Sequence, residues 1–272
     1  GSVCYDNCGK LDGDGSECWF IEIEAVVSAE SLLYTCIGAV ADTEEECEVI
    51  DGNWIINVIH PIIAHDLNNR IGMHSAAEDT LNVDTDPTYD CDYCYYDLGE
   101  PPPGQGNYIS FYFPHEEDEW QNPFDETQFT SDIRNLRDLS NDIDNPSSVW
   151  LSVIETNVPM GEINIGFDVG NTNLGGNSLI IGRDGTYTAI DMENNATYQF
   201  ETTGNDEYEL EFIVCGGDNL DENGLDECGN VCGLGIADGA CDCDGNVADC
   251  AGECGGSAEV DECGICDSDS GN

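Results

Sequence analysis

Between residues 19 and 27 the chain alternates apolar and acidic side chains. Ile21 and Ile23 fall on one side of an extended backbone, Glu22 and Glu24 on the other. A period of two marks a strand with one buried face. Similar short runs, rich in Val, Ile, Tyr and Phe, recur at 53–63, 108–114, 149–156, 162–169, 178–182, 197–203 and 207–214, with Gly, Asn and Asp between them. Short strands separated by turn residues predict an all-β fold, an antiparallel β-sandwich of jelly-roll type. The best helical candidate is 130–139, whose TSDIRNLRDL would make a turn or two. Residues 71–106 hold few strand formers and a rigid run about Pro102. They read as a long loop that is functional or stapled, with Cys91 and Cys94 as the staple.

The alternation is missing at both ends. Residues 1–18 and 216–272 are dominated by Cys, Gly and Asp, which predicts three regions: a Cys/Asp-rich segment at 1–18, the sandwich at 19–215, and a Cys-rich acidic calcium-repeat segment at 216–272. Segments so poor in Val, Leu and Phe cannot offset their chain entropy by burial. The sixteen cysteines can take over that task as disulfides, and their density predicts an oxidising, extracellular setting. Zinc is the weaker use, because the last segment has no His, Lys or Arg and thiolates would add negative charge to it. Cys36 with Cys47 would clip the hairpin after the first strand. Cys228 and Cys232, Cys250 and Cys254, and Cys263 and Cys266 bracket small loops, and the spacing leaves the connectivity open.

Fifty-eight Asp and Glu stand against five Lys and Arg, a formal charge of −53 on 272 residues. Carboxylates crowded within a Debye length of about 8 Å repel one another, so the chain calls for cations that its own side chains do not supply. Hard oxygen donors in loops with Gly and Asn point to Ca²⁺. Candidate ligands are Asp12, Asp14 and Ser16; Asp84, Asp86 and Asp90; Asn219, Asp221, Asn223 and Asp226; Asp242, Asp244 and Asn246; and Asp267 with Asp269. The set from Asn219 resembles the first half of an EF-hand loop but has Asn230 where the bidentate Glu would stand, so it must borrow a carboxylate from Asp226 or Asp238.

The same charge excludes nucleic acid as a partner. No run approaches the roughly 18 apolar residues of a membrane span. There is no cationic, apolar leader, so the chain is expected to be a mature product or a part of something longer. His60 and His65, with Pro61 between them, do not share a helical face, and together with His74 and His115 they read as loop and strand-end residues. Carboxylate pairs are too abundant to point to glycoside hydrolysis, and no nucleophile elbow, phosphate loop or dinucleotide fingerprint is present. No catalytic residue is assigned and no enzyme is expected. Asn195-Ala196-Thr197 is a formal glycosylation sequon.

Two stretches carry a resemblance. Residues 107–134, with Tyr112, Phe113, Pro114, His115, Glu119, Trp120, Asp132, Ile133 and Arg134, resemble a β-sandwich module of very large secreted surface proteins of marine bacteria. Glu117-Asp118 is an insertion relative to the compact form. Asn68-Asn69-Arg70-Ile71-Gly72 and Glu100-Pro101-Pro102 fit the same modules. Asp249-Cys250-Ala251-Gly252-Glu253-Cys254-Gly255-Gly256, followed by Asp261-Glu262-Cys263-Gly264-Ile265-Cys266-Asp267, is similar to the acidic repeats between such modules and to thrombospondin type 3 calcium repeats. The resemblance implies a structural or adhesive role outside the cell, secreted or at its surface. Joined tail to head, the two Cys-rich ends make one continuous repeat. The expected partners are therefore copies of the chain or neighbouring modules in a filament or giant adhesin. A rival expectation is a carbohydrate-binding module with Tyr93, Tyr95, Tyr96 or Trp120 as platform; a third is a polysaccharide hydrolase domain.

Overall fold

The alternating run at the start of the chain folds as strand β1 (Cys18–Ser28), with Ile21, Ile23, Ala25 and Val27 buried and Glu22 and Glu24 exposed. The computed structural model describes residues 18–37, 53–74, 77, 100–103, 105–117, 120, 127–136, 139, 147–168, 174, 177–192, 196–203, 207–216, 220–261 and 264–267, with the backbone alone for 32–37, 53–54, 56–58 and 68. After β1 come β2 (Ser31–Ile37), β3 (Asn53–Ile59), β4 (Ile62–His74), β5 (Ile109–Pro114), β6 (Gln128–Phe129), β7 (Ser131–Asn135) and β8 (Ser147–Thr156). They are followed by β9 (Glu162–Asp168), β10 (Ser178–Arg183), β11 (Thr186–Ile190), β12 (Thr197–Glu201), β13 (Glu207–Cys215), β14 (Glu259–Val260) and β15 (Cys266–Asp267). The fold is all-β, an antiparallel sandwich with disulfide-rich parts, and no α-helix occurs among the described residues.

One sheet runs β12–β9–β1–β4–β7 and the other β11–β10–β13–β8–β5–β6; β2 pairs with β3, and β14 with β15. β1 pairs antiparallel with β4 and β9, β9 with β12, β10 with β11 and β13, and β5 with β6 and β8, whereas β4 and β7 pair in parallel, with Arg70 facing Ser131 and Ile71 facing Asp132. That pair overturns the helix expected at 130–139. The stretch has too short an apolar run to hold a helix on a core, whereas as a strand it buries Ile133 and completes the edge of β4. The single strand expected at 53–63 is two strands, divided at His60-Pro61, because proline lacks the N–H a ladder needs.

The chain forms two units, one comprising 1–136, 150–173 and 191–210, the other 137–149, 174–190 and 211–272. In the first, Trp150, Phe111, Phe113, Phe129, Ile21, Ile23, Ile71 and Met73 are fully buried, and Trp19 meets Trp150 edge-on at 5.8 Å. Each such side chain contributes about 1.5–3 kcal/mol by leaving water. In the second, β10 and β11 form a hairpin closed by Asp184-Gly185, both at positive φ as a two-residue turn demands. A small apolar cluster of Ile180, Ile213, Cys215 and Cys232 lies there, with Tyr187, Leu220 and Val231 against it. The Cys-rich run starts on this cluster. The N–H of Ala189 donates to the carbonyl of Glu222 at 3.0 Å, and Gly224 lies so close over Ile180 that a Cβ would collide with it.

Candidate functional site

From Asp221 onward the backbone folds into a series of turns, each opened by an Asp and closed by a Gly three residues later: Asp221 with Gly224, Asp226 with Gly229, Asp242 with Gly245, Asp249 with Gly252, and Asp261 with Gly264. In each, the glycine N–H donates to the carbonyl of the Asp at 2.9–3.2 Å, and the glycine holds φ between +72° and +85°. The Asp side chain bends back over its own turn. Asp226 Oδ1 accepts the N–H of Cys228 (2.9 Å) and Asn230 (2.8 Å). Asp221 Oδ1 does so from Asn223 and Leu225, Asp242 Oδ1 from Asp244 and Asn246, and Asp249 Oδ1 from Ala251 and Glu253. Ile265 donates likewise to Asp261 Oδ1 at 2.8 Å. Short Asp side chains favour this self-capping turn.

Asp226 and Asp249 reach further. Their Oδ2 atoms accept the N–H of Gly235 (2.9 Å) and Ala258 (3.0 Å), nine residues on in both cases. Gly233 and Gly256, seven residues on, pass so near these carboxylates that a Cβ would strike them. Residues 226–235 and 249–258 therefore repeat one geometry. Burial pushes the Asp226 carboxyl up, but the N–H groups of Asn230, Gly235 and Cys228 outweigh it and hold the group below the usual carboxylate range. Asp221 is held down mainly by the N–H of Leu225, Asp242 by the side chain and N–H of Asn246, and Asp249 by the N–H of Glu253.

Disulfides tie the turns in sequence: Cys215 to Cys232, Cys228 to Cys243, Cys241 to Cys254, and Cys250 to Cys266, with Cα separations of 5.5–5.7 Å. Each closed loop contains one end of the next, so the four interlock as a ladder. The near neighbours that bracket small loops, Cys228 with Cys232 and Cys250 with Cys254, are not paired with each other. The four disulfides among the described residues mark a chain of an oxidising environment, and no described helix is long and apolar enough to cross a membrane.

Of the expected calcium ligands, Asp12, Asp14, Ser16, Asp84, Asp86, Asp90, Asn219 and Asp269 lie outside the described residues, as do Cys47, Cys91, Cys94, Tyr93, Tyr95 and Tyr96. Asp242 and Asn246 are brought together, the amide Nδ2 donating to Asp242 Oδ2 at 2.7 Å. Asp221 and Asn223 share one turn, Asp226 caps the next, and Asp267 lies in β15. Among the described residues no three His, Cys, Asp or Glu side chains converge as a metal-binding group. Asp249 and Asp261 share the turn geometry without having been singled out. The recurring Asp-x-x-Gly is the sequence signal of this turn.

In the sandwich, four of the residues that carry the resemblance, His115, Trp120, Asp132 and Arg134, form one cluster. His115 stacks on Trp120 with ring centroids 3.5 Å apart, and its Nε2 lies 3.1 Å from Oδ2 of Asp132, which is 1% exposed. Arg134 donates through Nε (3.1 Å) and Nη2 (2.8 Å) to the two oxygens of Asp132 and lies over the Trp150 ring, whose Nε1 donates to the Asp132 carbonyl. Burial alone would raise Asp132, but His115 and Arg134 hold it low. Nδ1 of His115 faces Glu117 at 3.3 Å, so both ring nitrogens meet carboxylates. Trp120 is buried on His115 and cannot be the exposed sugar platform the rival reading asked of it. Compared with family models, curated proteins and solved structures, the chain matches none.

Proposed function

We propose that the chain is a structural module of the cell exterior, a β-sandwich joined by a cross-linked acidic connector to the next module or the next copy in a surface filament or adhesin. The interlocked disulfide ladder of Asp-x-x-Gly turns carries this reading. It orders a run almost without an apolar core, at the cost of many cysteines, and that construction suits a part that must keep its form in dilute, protease-rich surroundings. Calcium is the counter-ion assigned to the acidic turns and loops, since the chain's own basic residues are too few to neutralise them.

The ladder also suggests how the module is continued. Cys228 stands two residues after the Asp of its turn and bridges forward by 15 residues to the next turn. Cys263 holds the same place after Asp261, and its assigned partner is a cysteine of a neighbouring module or copy. The test is electron microscopy and non-reducing electrophoresis of the oxidised chain, with and without chelator. Head-to-tail multimers that Cys263→Ser abolishes, with the melting temperature of the sandwich unchanged, support the reading. An oxidised chain that stays monomeric at high concentration in calcium overturns the assembly.

A further inference from the structure

Within the first unit, two carboxylates lie near each other, and among the described residues neither has a Lys or Arg partner. Asp66 of β4 accepts the N–H of Phe111 in β5 at 2.6 Å. Glu100, ahead of β5, accepts the hydroxyl of Ser110 through Oε1 at 2.9 Å, while its Oε2 is buried with no hydrogen-bond partner. Between them lies Asn69, 0% exposed, whose Oδ1 accepts the Thr130 hydroxyl at 2.8 Å and whose Nδ2 is buried and unpartnered. The Asn69 side chain lies beside Asp66 and that of Thr130 beside Glu100, so the four side chains form one polar cluster.

Its electrostatics are unbalanced. Burial, and then the charge of Asp66, push Glu100 up to about 7, and burial raises Asp66 against the pull of the Phe111 N–H. Among the described residues, the imidazole of His65 lies beside Asp66 and eases it. The described arginines are engaged elsewhere: Arg70 over the Phe20 ring, Arg134 on Asp132, and Arg183 near Asp184. Two partly buried carboxylates, with Glu100 Oε2 and the adjacent Asn69 Nδ2 unpartnered, need either a shared proton or a cation.

We infer that Asp66, Glu100, Asn69, Thr130 and Ser110 form a binding site for one Ca²⁺ inside the sandwich, separate from the acidic turns of the Cys-rich run. The donors are all hard oxygens, with the Asn69 amide turned to present Oδ1. They come from separate segments of irregular geometry, which suits the variable coordination of calcium better than the strict octahedron of magnesium. The ion joins the loop before β5 to β4 and thereby locks one layer of the sandwich to the other.

The test uses the full oxidised chain at pH 8, stripped of divalent ions, followed through the buried Trp19 and Trp150 by near-ultraviolet dichroism. Calcium at a hundredfold excess over its Kd should raise the melting midpoint of the sandwich by about 5–10 °C. Glu100→Gln should melt above the calcium-free wild type, because it removes the repulsion, and should lose most of the calcium-dependent rise. Calorimetric titration with CaCl₂ should count one tight site fewer. Asp66→Asn is the second variant should Glu100→Gln fail to fold, and Glu24→Gln on the exposed face of β1 should leave the response intact. An equal calcium response in wild type and both variants overturns the site. So does a wild type whose melting follows pH through 7 and ignores calcium, since a proton shared by the two acids then suffices. Loss of calcium from the acidic turns alone would touch the proposed connector and not this site.

Discussion

Asp132 in the sandwich and Asp226 in the Cys-rich run are both buried carboxylates held below their ordinary range, by opposite means. Asp132 is answered by side chains, the imidazole of His115 and the guanidinium of Arg134. Asp226 is answered by main-chain N–H groups from Cys228, Asn230 and Gly235. A chain with five Lys and Arg for 58 acids cannot repeat the first solution often. The second needs no basic residue. Any backbone that turns tightly brings two or three N–H dipoles onto one carboxylate, and glycine permits the turn. What the run lacks is apolar burial, and there the disulfides take the place of a core.

The harshest way to break this contrast is reduction. Each bridge closes a loop of 13–17 residues and should contribute roughly 3 kcal/mol. A reductant is therefore expected to erase amide-exchange protection across 220–267 while the near-ultraviolet signal of Trp19 and Trp150 persists. If both were lost together, the run would be stabilising the sandwich and the two constructions would not be independent.

The converse experiment is Trp150→Ala. This ring is fully buried, packs edge-on to Trp19, lies under Arg134 and donates to the Asp132 carbonyl. Its loss should cost the sandwich about 3–5 kcal/mol, read as a fall in denaturation midpoint, with turn protection in the oxidised run unchanged.

The sequence announced these two regions unequally. Strands such as β1, β8 and β13, whose sides alternate in polarity, could be read directly. β7 could not, because its only large apolar side chain is Ile133; what makes it a strand is the parallel pairing with β4 and the fixing of Asp132. The second half of β4 was hidden for a related reason: Asn69 is wholly buried yet polar, so no periodicity betrayed it. In the Cys-rich run the residues were visible but ambiguous. Carboxylates at alternate positions before a glycine suit an ion and equally suit self-capping, and the backbone hydrogen bonds of Asp221, Asp226 and Asp242 follow from the folded path and not from the spacing. The pairing of Cys228 with Cys243 rather than Cys232 depends on the path between turns, which spacing does not encode.

The two regions should also respond to pH in opposite directions. Glu100 has its pKa raised in the fold to about 7, so the stability tied to its protonated form is complete below its unfolded value of 4.5. That stability is lost as pH rises through 7. Asp221, Asp226, Asp242 and Asp249 are depressed, so their contribution is present above 3.8 and lost as pH falls through their lower folded values. In calcium-free buffer the sandwich midpoint is expected to decline from pH 5 to pH 8, and the exchange protection of the run to fail only in strong acid. Glu100→Gln should flatten the first curve and leave the second alone. A sandwich midpoint independent of pH over that window would show that Glu100 is ionised throughout.

The smallest effect separates what the acidic turns do for the backbone from what they do for ions. Asp242 Oδ1 accepts the N–H of Asp244 and Asn246, and asparagine offers an oxygen in the same place. If self-capping is the whole role, Asp242→Asn shifts the melting of the oxidised run by no more than about 1 °C. Asp226→Asn should cost more, because its carboxylate also takes the N–H of Gly235 from a nearly buried position, where a charged acceptor makes the stronger bond. A calcium ligand behaves differently: the exposed Asp242→Asn would then be as damaging as Asp226→Asn, and only with calcium present. Melting both variants with and without the ion therefore ranks the two roles at each turn. Equal and calcium-dependent losses would make the backbone capping incidental to ion binding, whereas unequal and calcium-independent losses would make the N–H groups of the turns the principal counter-charge of the run.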